Sequence, residues 1–291
     1  MKYIYILLIA FLAPGANAVI KRHDVDVVHY QVNKVPDFFI DMPFQGAAVL
    51  IDKHWLLTPA HVIYTYMYDY NNKPIMLHGI ENEIADVIIH KDFKRIEGDW
   101  SKGDPSKLMA HMNNTHDIAL VKLKRAVTHI KPINLYQYNN EVGMEFTGFG
   151  RGAIGTGIIG EIDESQGPSL IAYFGYQITK FFSDWAFTQE DYQLDNYHNV
   201  ITEAENQWLR FTFEQGDKAL PLEGIFGSGD SGGAAVIYRN SKPLLIGFAV
   251  WREIDDDFEN HVHGKYGSTG VLTRVSYYND WITDHITKGR K

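Results

Sequence analysis

Apolar residues in this chain come in short runs separated by polar breaks. Gly46–Ile51, Ile118–Leu123, Ala234–Tyr238 and Leu244–Val250 are rich in Ala, Val, Ile and Leu. They are short for helices and suited to strands with both faces covered. Glycines and Asn-Asn pairs mark turns between them. Helical spacing is clear only near the end, where Tyr278, Trp281, Ile282 and His285 share one face of the stretch 277–286. The pattern predicts an all-β protein closed by a C-terminal helix, without internal repeats.

The start is different. Met1-Lys2 precedes the apolar run Ile4–Ala13 and then Pro14-Gly15-Ala16-Asn17-Ala18. A short charged region, an apolar region and an Ala-x-Ala site predict a signal peptide over residues 1–18, cut after Ala18. The run falls short of the roughly 20 residues that span a bilayer. The chain of 291 residues has 45% hydrophobic and 22% charged residues, an ordinary globular composition. It has no cysteine, so its stability must come from the core. Its net charge of −9 disfavours nucleic acid and anionic membranes as partners. The expectation is a secreted or periplasmic monomer, off the membrane once the signal is removed.

Candidate chemistry centres on Gly229-Asp230-Ser231-Gly232-Gly233, one serine among small residues. A hydroxyl becomes a nucleophile when a base removes its proton and nearby donors hold the resulting oxyanion. Two further groups lie upstream, His61 in Thr58-Pro59-Ala60-His61 and Asp117 in His116-Asp117-Ile118-Ala119-Leu120. The order His, Asp, Ser is one of the known orders of the triad. With Gly270-Val271-Leu272-Thr273-Arg274-Val275 and Tyr278-Asn279-Asp280-Trp281-Ile282, these stretches resemble the trypsin/chymotrypsin-like serine peptidases. The long spacings, 56 residues from His61 to Asp117 and 114 from Asp117 to Ser231, point to inserted loops. Tyr64–Lys73 and Ser183–His198 are the two candidates, as rims of the cleft or as surface decoration.

The resemblance implies two six-stranded antiparallel β-barrels with the active site in the cleft between them. They would occupy about 19–135 and 136–275 of a peptidase domain over 19–291, with a boundary near 131–138 and the helix at 276–288. His61, Asp117 and Ser231 would be catalytic, with the N–H groups of Gly229 and Ser231 as the oxyanion hole. A freed amino terminus at Val19 would pair with Asp230. The substrate pocket would be formed by Ile225, Trp251, Arg252 and Gly270. An apolar floor at Ile225 favours a neutral or apolar side chain before the cut. Arg252 could attract an acidic side chain or face solvent near Asp255-Asp256-Asp257. Val250 stands where many members have a serine that supports the catalytic aspartate. No cofactor or metal is expected. The substrate is expected to be protein or peptide, cleaved through an acyl-enzyme.

Other motifs carry less. Gly155-Thr156-Gly157-Ile158-Ile159-Gly160 fits GxGxxG but lacks a βαβ setting and reads as turn residues. His261-Val262-His263 and the acidic stretch 253–259 read as polar loops rather than metal sites. A catalytically silent binding module on the same fold and an esterase-type acyl hydrolase are the alternative functions.

Overall fold

A computed structural model describes residues 18–42, 46–69, 74–97, 102–162 and 194–289. It is mostly β, with two main sheets. The first has five antiparallel strands: β2 (Phe39–Met42), β3 (Gly46–Asp52), β4 (Trp55–Thr58), β7 (Ile84–Ile89) and β8 (Ala119–Leu123), in the order β2-β3-β4-β8-β7. A small hairpin, β5 (Ile75–Leu77) with β6 (Ile80–Asn82), stands beside it. The second runs β13-β10-β17-β18-β19-β15-β14. Its strands are β10 (Glu145–Gly150), β13 (Asp195–Val200), β14 (Glu203–Glu205), β15 (Trp208–Thr212), β17 (Ala234–Arg239), β18 (Lys242–Arg252) and β19 (Thr269–Arg274). The linking strand β9 (Asn134–Leu135) pairs in parallel with Leu244–Leu245 of β18, so the predicted boundary region already joins the second sheet.

A four-stranded sheet carries the amino-terminal segment. Here β1 (Ile20–Lys21) lies between β11 (Gly155–Thr156) and β16 (Gly224–Ile225), with β12 (Gly160–Glu161) outside β11. The GxGxxG stretch is therefore the β11–β12 hairpin. Helix α1 (Ala60–Asp69) follows β4, α2 (Ser106–Asn114) precedes β8, and α3 (Asn279–Gly289) closes the chain.

Burial explains the apolar runs. In β3, Ala47 and Val49 face the core between the two sheets, while Ala48 and Leu50 face the interior of the first. In β17, Ala234 and Val236 face that shared core and Ala235 and Ile237 the interior of the second. Strands covered on both sides lose polar alternation. Trp55, Ile118, Leu120, Trp208, Phe248, Trp251 and Val271 complete the shared core, which α3 caps through Ile282.

Both expected insertion loops are in part regular structure. In the first stretch, 64–69 continues α1, and 70–73 lies outside the described residues. In the second, 183–193 lies outside them, but 195–198 belongs to β13, paired along its length with β10. Its inward face is Asp195, Tyr197 and Asn199, two of them polar, so hydropathy hides the strand. Asn199 satisfies its amide on the Thr212 and Gly224 carbonyls at 3.0 and 3.1 Å.

Candidate active site

His61 sits in the first turn of α1, just past Pro59, a residue suited to helix starts. Asp117 lies two residues before β8 and is buried. Its carboxylate meets two nitrogens of His61: Oδ1 accepts the backbone N–H at 2.9 Å and Oδ2 lies 2.6 Å from Nδ1. An ionised carboxylate only accepts, so this contact favours the tautomer of the neutral ring with the proton on Nδ1 and the basic lone pair on Nε2, the tautomer a general base requires. Desolvation lowers the His61 pKa, but with the ring 39% exposed the charge and hydrogen bond of Asp117 prevail and hold it above the ordinary value. Thr273 Oγ1 donates to the Asp117 carbonyl at 3.1 Å, anchoring the aspartate to the second sheet. Val250, in the position considered for such support, lies at a register shift of β18 between Ala249 and Trp251. Thr273 is an anchor that sequence spacing gave no reason to select.

Ser231 lies in a tight loop between β16 and β17. Gly229 and Gly232 have φ of +88° and +85°, a region that glycine enters without strain. Three backbone hydrogen bonds fasten the loop on two sides. The Ser231 carbonyl accepts the Ala47 N–H at 2.7 Å, linking it to the first sheet. The Gly232 N–H donates to Ala249 at 2.7 Å, and the Gly233 carbonyl accepts the Ala249 N–H at 2.9 Å. A Cβ at Gly232 would overlap the Ala47 carbonyl and reach Pro59, two residues before His61. The serine loop and the histidine turn are thus packed together at the meeting of the two sheets. The N–H groups of Gly229 and Ser231 donate to no acceptor among the described residues.

Asp230 points the other way and is 1% exposed. Its carboxylate accepts the N–H groups of Gly227 at 2.7 Å and Gly152 at 2.5 Å. Burial pushes its pKa up to about 7, against the backbone hydrogen bonds. In the intact chain the groups nearest the expected amino terminus bind elsewhere: the Ala18 N–H donates to Asp195 Oδ2 at 2.7 Å, and Lys21 Nζ meets the same oxygen at 2.6 Å. Val19 is buried with φ of +56°, a costly value for a β-branched residue. The Lys21 ammonium also feels Asp230; burial lowers its pKa and Asp195 opposes the fall.

The pocket residues are packed. Ile225 is fully buried and pairs with Ile20. A Cβ at Gly270 would overlap the Phe211 ring. Trp251 packs edge-on against Trp208 at 6.0 Å, its Nε1 buried without a hydrogen-bond partner among the described residues. Of the two readings of Arg252, the solvent-facing one beside Asp255–Asp257 does not hold: its side chain is 8% exposed and pairs with Glu161 at 2.5 Å.

The fold and this residue set give a two-sheet β protein in which a histidine–aspartate pair and a glycine-flanked serine loop lie where the sheets meet. The Trypsin family matches residues 33–163. Relatives are the hamster (Mesocricetus auratus) calcium-dependent serine proteinase, 27% identical over 84% of this chain and 32% of that protein, and rabbit (Oryctolagus cuniculus) vitamin K-dependent protein C, 25% identical over 82% of this chain and 46% of its own. Rat (Rattus norvegicus) vitamin K-dependent protein C is 21% identical over 82% of this chain and 45% of its own. The chain thus spans less than half the length of these relatives. In fold and in these matches the chain is similar to the trypsin/chymotrypsin-like serine peptidases.

Proposed function

We propose that the protein is a serine endopeptidase acting through His61, Asp117 and Ser231. The observation that carries the reading is the 2.6 Å contact of His61 Nδ1 with buried Asp117, with the glycine-flanked serine loop packed against Ala47 and against Pro59 of the histidine turn. Ser231 Oγ attacks the substrate carbonyl carbon as His61 Nε2 takes its proton. The resulting oxyanion is held by the N–H groups of Gly229 and Ser231. Its collapse expels the amine, protonated by His61, and leaves an acyl-enzyme that water hydrolyses by the same steps. A substrate pocket floored by Ile225, filled in this conformation by the packing around Ile225 and Gly270, would favour neutral or apolar side chains before the cut, and the pairing of Arg252 with Glu161 weakens the case for an acidic one.

Incubation with a fluorophosphonate tests the reading. Label on Ser231 that disappears in Ser231→Ala supports it; an unlabelled wild type leaves the silent binding module. Peptide and simple ester substrates then separate peptidase from esterase. The rate of acylation rises with pH through a value above the ordinary histidine range, because Asp117 raises His61. A pH-rate profile flat from about pH 6 to 8 would remove His61 as base.

Signal cleavage after Ala18, with export as a monomer, belongs to the same proposal. It would remove the strained Val19 φ and free an ammonium next to Ala18 and Lys21, the segment that now reaches Asp195 and in which the Lys21 ammonium feels Asp230. Amino-terminal sequencing of active protein checks it: a start at Val19 is expected, and one at Met1 or well past Ile20 would defeat the proposed Val19–Asp230 pair.

A further inference from the structure

Ser228 immediately precedes Gly229, and both its peptide planes are held. Its N–H donates to Glu161 Oε2 at 3.2 Å. Its carbonyl accepts the Ala153 N–H at 2.7 Å. A peptide unit is planar and trans, so the Ser228 carbonyl directed at Ala153 turns the Gly229 N–H to the opposite side. Gly229 itself, with φ of +88°, imposes little restraint. The orientation of that N–H therefore depends on what grips Ser228.

The grip has a second layer. Glu161 Oε2 lies 2.5 Å from Arg252 Nη2, which also approaches Ser228 Oγ at 3.5 Å. The end of β12, the serine loop and the end of β18 thus meet at one carboxylate oxygen. The side chains of Arg252 and Glu161 are 8% and 11% exposed, so this is not a solvated surface pair of little consequence. Burial pushes the Glu161 carboxyl up, but Arg252 and the Ser228 contacts outweigh it and hold the group below its ordinary range. Removing either partner leaves the other's charge buried and uncompensated. Arg252 Nη1 is buried without a hydrogen-bond partner among the described residues, so the guanidinium is anchored on its Nη2 edge.

We infer that Glu161 and Arg252 are a positioning pair that fixes the Ser228 peptide and so aims the Gly229 N–H at the oxyanion. This rests on the serine-peptidase reading. It assigns Arg252 to loop geometry and not to recognition of an acidic substrate side chain.

The test uses the full chain with Glu161→Ala, Glu161→Gln and Arg252→Met. Amide exchange of the segment 226–232 is read first and needs no catalysis. Loss of the Ser228 hydrogen bond accelerates it by about tenfold in Glu161→Ala and Arg252→Met, while Glu161→Gln, which keeps an acceptor and the volume, stays nearer wild type. Unchanged exchange in the folded variants overturns the inference. In catalysis, kcat falls by about tenfold or more at nearly constant KM, since one donor lost outright costs more. Affinity for a peptide boronate falls in proportion. A rise in KM confined to acidic substrates, with kcat intact, overturns the inference and makes Arg252 a recognition residue. A wild type that no fluorophosphonate labels defeats the peptidase reading, while the exchange comparison still decides whether the pair fixes the loop.

Discussion

At the scale of single residues, two kinds of position govern the site: glycines that must be glycine and charges that must be paired. Gly232 has φ of +85°, and a Cβ there would overlap the Ala47 carbonyl. Gly232→Ala is expected to displace the loop and reduce fluorophosphonate labelling by at least about 100-fold, the scale of a misplaced reacting group; near-normal labelling would show that the loop tolerates the shift. The buried pair of Lys21 and Asp195 is a stability element. Lys21→Met strands the Asp195 charge and should cost about 3 kcal/mol in urea unfolding. Adding Asp195→Leu should recover most of it, because an apolar pair of similar volume suffers no such penalty. The residues proposed to react could be picked from the sequence because the chemistry they would perform restricts both residue type and immediate neighbours. Lys21 with Asp195, 174 residues apart, and Arg252 with Glu161 carried no such local mark. Each becomes a pair only when distant strands fold side by side.

Among elements, legibility followed burial on both faces. β3, β8, β17 and β18 stood out because their faces enter two cores. β13 did not, because its inward positions hold Asp195 and Asn199, whose cost is met by partners elsewhere in the chain. The docking of α3 gives a prediction on this scale. His90, just past β7, stacks on His116 with ring centroids 4.6 Å apart, and His116 Nδ1 meets Tyr278 Oη at 2.8 Å. Trp281 of α3 tilts against His90 at 5.4 Å. Burial lowers the pKa of both histidines. His116, Lys91 and His285 add repulsion at His90, Lys91 and Lys94 add it at His116, and Asp92 opposes the fall at both. A depressed folded pKa means that the unfolded chain binds more protons, so this contribution is present above about 6.5 and lost as pH falls through the folded values. Asp230, raised to about 7, acts in the opposite sense: its burial is free of charge cost at low pH and becomes unfavourable as pH rises. The two effects are separated by comparing the wild type with His90→Asn. Between about pH 7 and pH 5 the wild type should lose stability relative to the variant; parallel stability curves would show that the stacked pair does not titrate with α3 docking.

For the whole molecule, the site exists only because the two sheets are held in one relation. The shared apolar core supplies most of that hold but is tolerant of small slides, whereas hydrogen bonds across it are directional. The Ala47 N–H holds the Ser231 carbonyl, Thr273 Oγ1 holds the Asp117 carbonyl, and Trp208 Nε1 reaches the Asn113 carbonyl at 3.1 Å. The Thr273 contact is the most direct tie between Asp117 and the sheet that carries the serine loop. Thr273 is fully buried, so Thr273→Val keeps the shape and removes only the donor. A buried carbonyl left without that bond should cost about 1–3 kcal/mol. If the bond also sets the distance from the His61–Asp117 pair to Ser231, kcat/KM should fall by about tenfold or more, with the pH midpoint of the rate little changed because the Asp117 carboxylate still meets His61. Thr273→Ser, which retains the hydroxyl, should restore the rate more fully than the stability, since it lacks the methyl packed in the core. Lower stability at an unaltered rate in Thr273→Val would instead make the bond a staple of the fold, and the alignment of the two halves of the site a property of the apolar core.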